Sequence, residues 1–368
     1  MDFVNETGLQ AGWCVGFQQD GRELLVITVK ATYGLSENGG ELKLAEEQIP
    51  LTKADRFTGE PGTSATWYES DYAHKKPLCD VLLNGSAHAP RGRPVRKAVV
   101  GLRVGPIRKR FEVVGDRTWR RFLLWAVRGG PRRFLACPIS YDRAYGGVDR
   151  GRKPDQVRTY PDNPIGLGYY PLSRGSRLIG RPLPNTQQIG KTATKRKGKY
   201  RPMSFGPMGR NFRVRVPYAG TYDAKWAEER MPFFPADFDY RYFQCAPPDQ
   251  QMPYPTGGEE VVLENLTPAG VTRFRLPKRE VPVLVLPHDG DATQLDPVVD
   301  TVLIEPDQGR LMLTWRASLP LQKSVFDVRQ VVVGKSVQQH LEETREDSKI
   351  HYANLDEMIR AKQRARAE

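Results

Sequence analysis

Asp237 and Asp239 are the pair of side chains whose types and spacing come nearest to chemistry. Two carboxylates two positions apart on a strand share a face, where they could act as general acid and base or hold a divalent ion. Arg241 falls on that same face and Phe238, Tyr240 and Tyr242 on the other, so the stretch reads as a half-buried strand. Phe212, Val214 and Val216 alternate with Arg213 and Arg215 in an earlier segment that reads the same way. Set beside each other, the two would form a ladder of cross-strand ion pairs that uses all of these charges without chemistry, and this structural reading outweighs the catalytic one.

Other reactive patterns are incomplete. A phosphate-binding loop needs glycine at both ends of GxxxxGK[ST], because backbone amides must wrap the phosphates. Gly190-Lys191-Thr192 has Asn185 in the first glycine position, and Gly334-Lys335-Ser336 has Arg329 there. Gly166 and Gly168 open a GxG that meets Pro171 instead of a third glycine, with no βαβ unit around it. His74, His88, His288, His340 and His351 show no HxxxH or HExxH spacing, and no GxSxG elbow marks a nucleophile. Neither a metal site nor a cofactor site is expected.

The elements that would carry these residues are mostly strands. Asp20-Gly21 precedes RELLVITVKATYGL, Asn38-Gly39 precedes ELKL, and Asp307 to Gly309 joins TVLIE to RLMLTWR, each a hairpin signal. Ala224 to Met231 reads as two helical turns, capped by Asp223 and stopped by Pro232. Residues 146 to 210 are rich in Gly, Pro and Arg, and their run IGKTATKRKGKYRP reads as mobile loop. Near the end, Ser336 would cap a helix over VQQHLEETRED, and Leu355, Met358 and Ile359 form an apolar stripe beyond it that suits docking on its own domain. The fold class expected is therefore mainly β: two associated sandwich-like domains, 1–137 and 138–335, with a helical tail over 336–368.

With 368 residues the chain can bury a sizeable core, and 34 glycines with 30 prolines point to ordered strands joined by many loops. The formal charge of +13 is uneven: residues 91 to 133 hold 14 Lys and Arg against Glu112 and Asp116. That excess fits an anionic partner or, preferably, a solvated sheet face whose arginines pair with carboxylates elsewhere. Cys14, Cys79, Cys137 and Cys245 lie far apart, and the start MDFVNETG has neither a basic region nor an apolar run, so a reduced, cytoplasmic protein is expected. Apolar runs are strand-sized, so no membrane span and no membrane partner are expected.

Nine strings in order carry a resemblance: DGRELLVITVKATYGL, KPLCDVLLNGSAHAP, VVGDRTW, PISYDRAYGG, NPIGLGY, SFGP, GTYDAKWAEERMPFFPADFDYRYFQCAPPDQQ, GGEEVVLENLTPAG, and DTVLIEPD with LTWR. Together they resemble a bacterial family of unknown function, DUF family 2169, encoded in type VI secretion clusters beside spike-tip and toxin genes. The resemblance implies a non-enzymatic adaptor or chaperone that holds a toxic effector in the cytoplasm. It would help load that effector onto the valine-glycine repeat spike (VgrG) or its PAAR-type tip. It carries no catalytic residues. Tyr141, Arg143, Asp223, Trp226, Arg230, Asp237, Asp239 and Asp249 are expected to support the fold first and a partner groove second. The alternatives are an enzyme acting on an anionic polymer and, less favoured, a nucleic-acid-binding protein.

Overall fold

A computed structural model describes residues 1 to 349, and strands dominate it. The apolar runs decide the largest sheet. Leu24 to Tyr33 is buried at every position, so the strand Glu23–Gly34 is covered on both faces. It pairs antiparallel with Gln10–Phe17 on one side and with Arg310–Pro320 on the other. Val298–Glu305 follows, then Cys79–Leu83 in parallel, then Gln251–Met252, and the short Lys43–Leu44 also pairs with Glu23–Gly34, giving seven strands. Each expected hairpin forms. Gly21 takes φ +87° in the first, a left-handed conformation that costs glycine nothing. At Gly39 a Cβ would lie 2.0 Å from the Arg273 carbonyl oxygen, so only glycine fits against the backbone there.

A second sheet orders Thr186–Gln187, Ile107–Val114, Lys97–Val104, Glu260–Glu264 and Val271–Arg275. Its alternation is simple: Ile107, Lys109 and Phe111 are buried, while Arg108 and Arg110 are exposed. Arg117–Phe122 and Trp125–Arg128 form a further hairpin, with Pro182–Leu183 at its side. Trp119 anchors the stem of this hairpin in a cluster with Tyr170, Leu178 and Leu183.

The mainly β class holds. Among the described residues two compact units appear, one of residues 1–8, 281–296 and 326–349, the other of residues 9–280 and 297–325. Position 137, the division expected from sequence, lies inside the larger unit on the strand Ala136–Ile139. The smaller unit holds a four-stranded sheet whose order is Asp2–Asn5, Val328–Val333, Val283–Pro287, Thr293–Leu295. Its helix Val337–Lys349 begins as expected, the Ser336 hydroxyl accepting the Gln339 N–H at 3.2 Å. The Leu355, Met358 and Ile359 stripe lies outside the described residues.

Two expected strands do not form. Residues 237 to 242 make a turn and a 3-10 helix, Tyr240–Phe243, because the Asp239 carboxylate accepts the Arg241 N–H at 2.8 Å and caps it. Residues 212 to 216 are turns leading into a 3-10 helix, Val216–Ala219. The ladder of ion pairs between them is absent: Arg213 pairs with Asp162, Arg215 with Glu69 and Arg241 with Asp239. The tract from 189 to 202 has no regular element, yet it is anchored. Tyr200 and Ala193 are buried with Tyr145 and Tyr160.

Candidate functional site

The segment from 220 to 251 is held by its own polar groups. Asp223 caps the helix Ala224–Glu229 by accepting the Trp226 N–H at 2.9 Å, as expected. The Trp226 indole donates to the Phe233 carbonyl at 2.9 Å, closing the chain back over the helix. Asp237 accepts both the N–H and the hydroxyl of Thr221, at 2.9 and 2.8 Å. These bonds, the backbone one foremost, hold its carboxyl below the usual range. The Arg241 guanidinium does the same for Asp239 and lies over the Tyr218 ring. A carboxylate stabilised in this way is a poor proton acceptor, and Asp237 and Asp239 face different partners instead of sharing one ligand.

Between these clasps the aromatic residues build a cluster. Phe234 stacks on Phe238 with centroids 4.0 Å apart, and Phe243, Tyr240 and Tyr242 pack around them. The cluster sits on the end of the first hairpin. Phe233 meets Phe17 edge to face, the Arg230 guanidinium donates to the Gln19 carbonyl, and the Gln19 amide donates to the Phe238 carbonyl at 2.6 Å. An open groove of about 870 Å³ runs beside this junction, lined by Gln19, Asp20, Lys75, Asp239, Tyr240 and Tyr254 among others. Asp20 and Asp239 are already paired with Arg22 and Arg241, and the Gln19 amide with the Phe238 carbonyl, so the groove offers rings and one lysine.

The eight residues picked out from sequence do not form one site. Asp223, Trp226, Arg230, Asp237 and Asp239 share the segment just described. Asp249 binds buried Lys109 at 3.2 Å and Arg201 at 2.9 Å. Tyr141 is buried against Phe212, and burial, reinforced by the Asp249 charge, raises its phenol. Arg143 pairs with Asp116 at 2.8 Å.

Residues that sequence reasoning passed over prove central. Asp80 is fully buried and accepts from the Lys76 ammonium, the Gln244 amide and the Cys245 and Ala246 N–H groups, all within 3.1 Å. It thereby pins the end of the aromatic segment to the large sheet. Burial disfavours the charge on Lys76, but Asp80, Cys245 and Asp300 together outweigh that and raise it. The only sequence signal was one acid inside the apolar run CDVLL. Arg316 and Asp300 form a buried pair of the same sheet, and half-buried Arg310 holds the buried Glu305. The two arginines wall a cavity of about 410 Å³ that also takes in Trp67, Leu303 and Met312. Its Glu69 binds Arg215 and Arg210 through one carboxylate oxygen, while the other is buried without a partner.

The charges of 91 to 133 divide in two. On the second sheet Arg103, Arg110 and Lys97 pair with Glu260, Glu264 and Glu112, as a solvated face would. The arginines around the Arg117–Arg128 hairpin do not pair in this way.

The ordered strings, the large sheet and the segment clasped to it coincide with one family. The model of an uncharacterized protein conserved in bacteria (DUF2169) matches residues 20 to 316. The chain belongs to the DUF2169 family. No curated protein and no solved structure matches it. The matched span contains the whole aromatic segment, Asp80 and the groove apart from Gln18 and Gln19, and ends at Arg316 of the buried pair. In the described residues no cluster of His, Cys, Asp and Glu could hold a metal ion, and no helix is long and apolar enough to cross a membrane.

Proposed function

We propose that this DUF2169 protein works by binding: it is an adaptor that holds a type VI secretion effector and helps load it onto the spike, VgrG or its PAAR-type tip. One observation carries the reading. Asp223, Asp237, Asp239 and Arg241 of the 220–251 segment are spent on internal clasps, while beside them lies an open groove lined by tyrosine rings and the Lys75 ammonium. Such a surface suits an extended protein segment, because rings bring contact area at low entropy cost and a lysine can meet backbone carbonyls. An enzyme for an anionic polymer would need a proton acceptor near a cationic groove, and neither Asp237 nor Asp239 has that setting. Nucleic-acid binding fits this groove poorly for the same reason of charge.

Co-expression with the toxin encoded beside this gene, followed by affinity purification, tests the reading. The toxin is expected to co-purify, and Lys75→Glu with Tyr240→Ala is expected to weaken its retention at least about tenfold, in line with loss of a ring anchor. Full retention by a folded double variant would remove the groove from the account.

A further inference from the structure

The hairpin Arg117–Arg128 ends in four apolar residues, Phe122, Leu123, Leu124 and Trp125, which are 64%, 78%, 94% and 74% exposed. In a strand, successive side chains point to opposite faces, so a hairpin lying on a protein would bury one face and leave alternate residues covered. Here all four are exposed, which is the mark of a tip that projects clear of the body. The turn itself is unusual. Leu123 adopts φ +51°, a conformation that glycine or asparagine takes at far lower cost, so a large apolar side chain occupies a position that turn formation disfavours.

Along the hairpin strands and the chain that follows them the charge has one sign. From Arg117 to Tyr141 there are six arginines and no acid. Arg117 is buried and bound to Pro184 and Gln187, but Arg120, Arg121, Arg128, Arg132 and Arg133 are exposed and make no ion pair among the described residues. Leu135 adds a further exposed apolar group next to this collar.

We infer that this hairpin is a docking device for an anionic lipid bilayer surface: the Phe122–Trp125 tip enters the interface and the arginine collar meets the headgroups. Two residues on each strand reach about 7 Å, within the roughly 5–10 Å over which interfacial elements bury their apolar side. Trp125 at the tip and arginines behind it match the chemistry of that boundary, where amphipathic rings sit at headgroup level and cations are drawn by anionic lipid. A bilayer surrounds a projecting tip on all sides, whereas a protein groove would complement one face. This reverses the expectation of no membrane partner, while leaving the absence of a membrane-spanning helix as it stands. It does not depend on the effector-binding reading.

Sedimentation of the full chain with vesicles is the test, using phosphatidylcholine alone and phosphatidylcholine mixed with phosphatidylglycerol. Binding is expected to the mixed vesicles, to fall as salt rises, and to be weak on the neutral ones. Leu123→Ser with Leu124→Ser should reduce the partition coefficient at least about tenfold, and each of Arg120→Gln and Arg121→Gln about fivefold. Since the tip contacts no core, these variants should unfold at the wild-type temperature. Absence of sedimentation with the mixed vesicles at low salt would overturn the inference, as would equal binding by the folded tip variant. Loss of effector capture by the tip variant, with no vesicle binding by wild type, would assign the hairpin to an acidic protein partner instead.

Discussion

Lys109 sits on the buried face of the second sheet, where its ammonium reaches Asp249 at 3.2 Å and Gln250 at 2.6 Å. Burial disfavours its charge more than Asp249 restores it, and its value is pushed down to about 8 from 10.5. The sign follows from linkage. Between these two values the unfolded chain holds the proton and the folded one has released it, so this group's contribution to stability rises with pH across that window. Unfolding free energies of wild type and Lys109→Met, measured from about pH 7 to about pH 10, should therefore converge or diverge in one direction, the wild type gaining relative to the variant. Parallel curves would contradict the assignment. Asp80 makes a larger claim on stability. Its removal leaves Lys76 charged and buried without its counter-ion and three further donors unpaired, so Asp80→Ala should lower the unfolding free energy by about 3–5 kcal/mol in urea titration. A loss of under about 1 kcal/mol would show that the segment from 244 to 246 is held by packing alone.

Short elements here depend on their caps. The helix Ala224–Glu229 has six residues, too few to stand without tertiary support, and Asp223 satisfies one of its open amides. Asp223→Ala should cost about 1 kcal/mol locally, seen as roughly fivefold faster hydrogen exchange at the Trp226 amide, with global stability nearly unchanged. Unchanged exchange would mean that the Trp226 indole bond to Phe233 suffices. Which elements could be read from sequence follows from similar local chemistry. The hairpins at Gly21, Gly39 and Gly309 were legible because a left-handed glycine sat between apolar runs. The Arg117–Arg128 hairpin was not, since Leu123 stands where such a glycine is usual. The alternation from 237 to 242 misled because charges two apart also satisfy a capped 3-10 turn, in which Asp239 binds Arg241 rather than a neighbouring strand. Asp80 stayed hidden because, Lys76 apart, its partners are 164 to 166 residues away along the chain.

At the scale of the whole molecule, buried ion pairs and clasped loops make the larger unit a stiff support. Arg316 alone binds Asp300, Thr28, and the Asp71 and Ala73 carbonyls, joining strands and loops far apart in sequence. Pairs of this kind add little net stability over apolar packing, but they fix which parts meet, and a preorganised surface binds without a large ordering cost. Such a body should act in fixed proportion to its partner. The most direct measurement is the molar mass, by light scattering, of what elutes when the protein and the neighbouring toxin are made together and purified through a tag on one of them. A single species of constant stoichiometry, with more soluble toxin than when the toxin is made alone, is the predicted result. Elution of the protein by itself, with toxin solubility unaltered, would contradict the account.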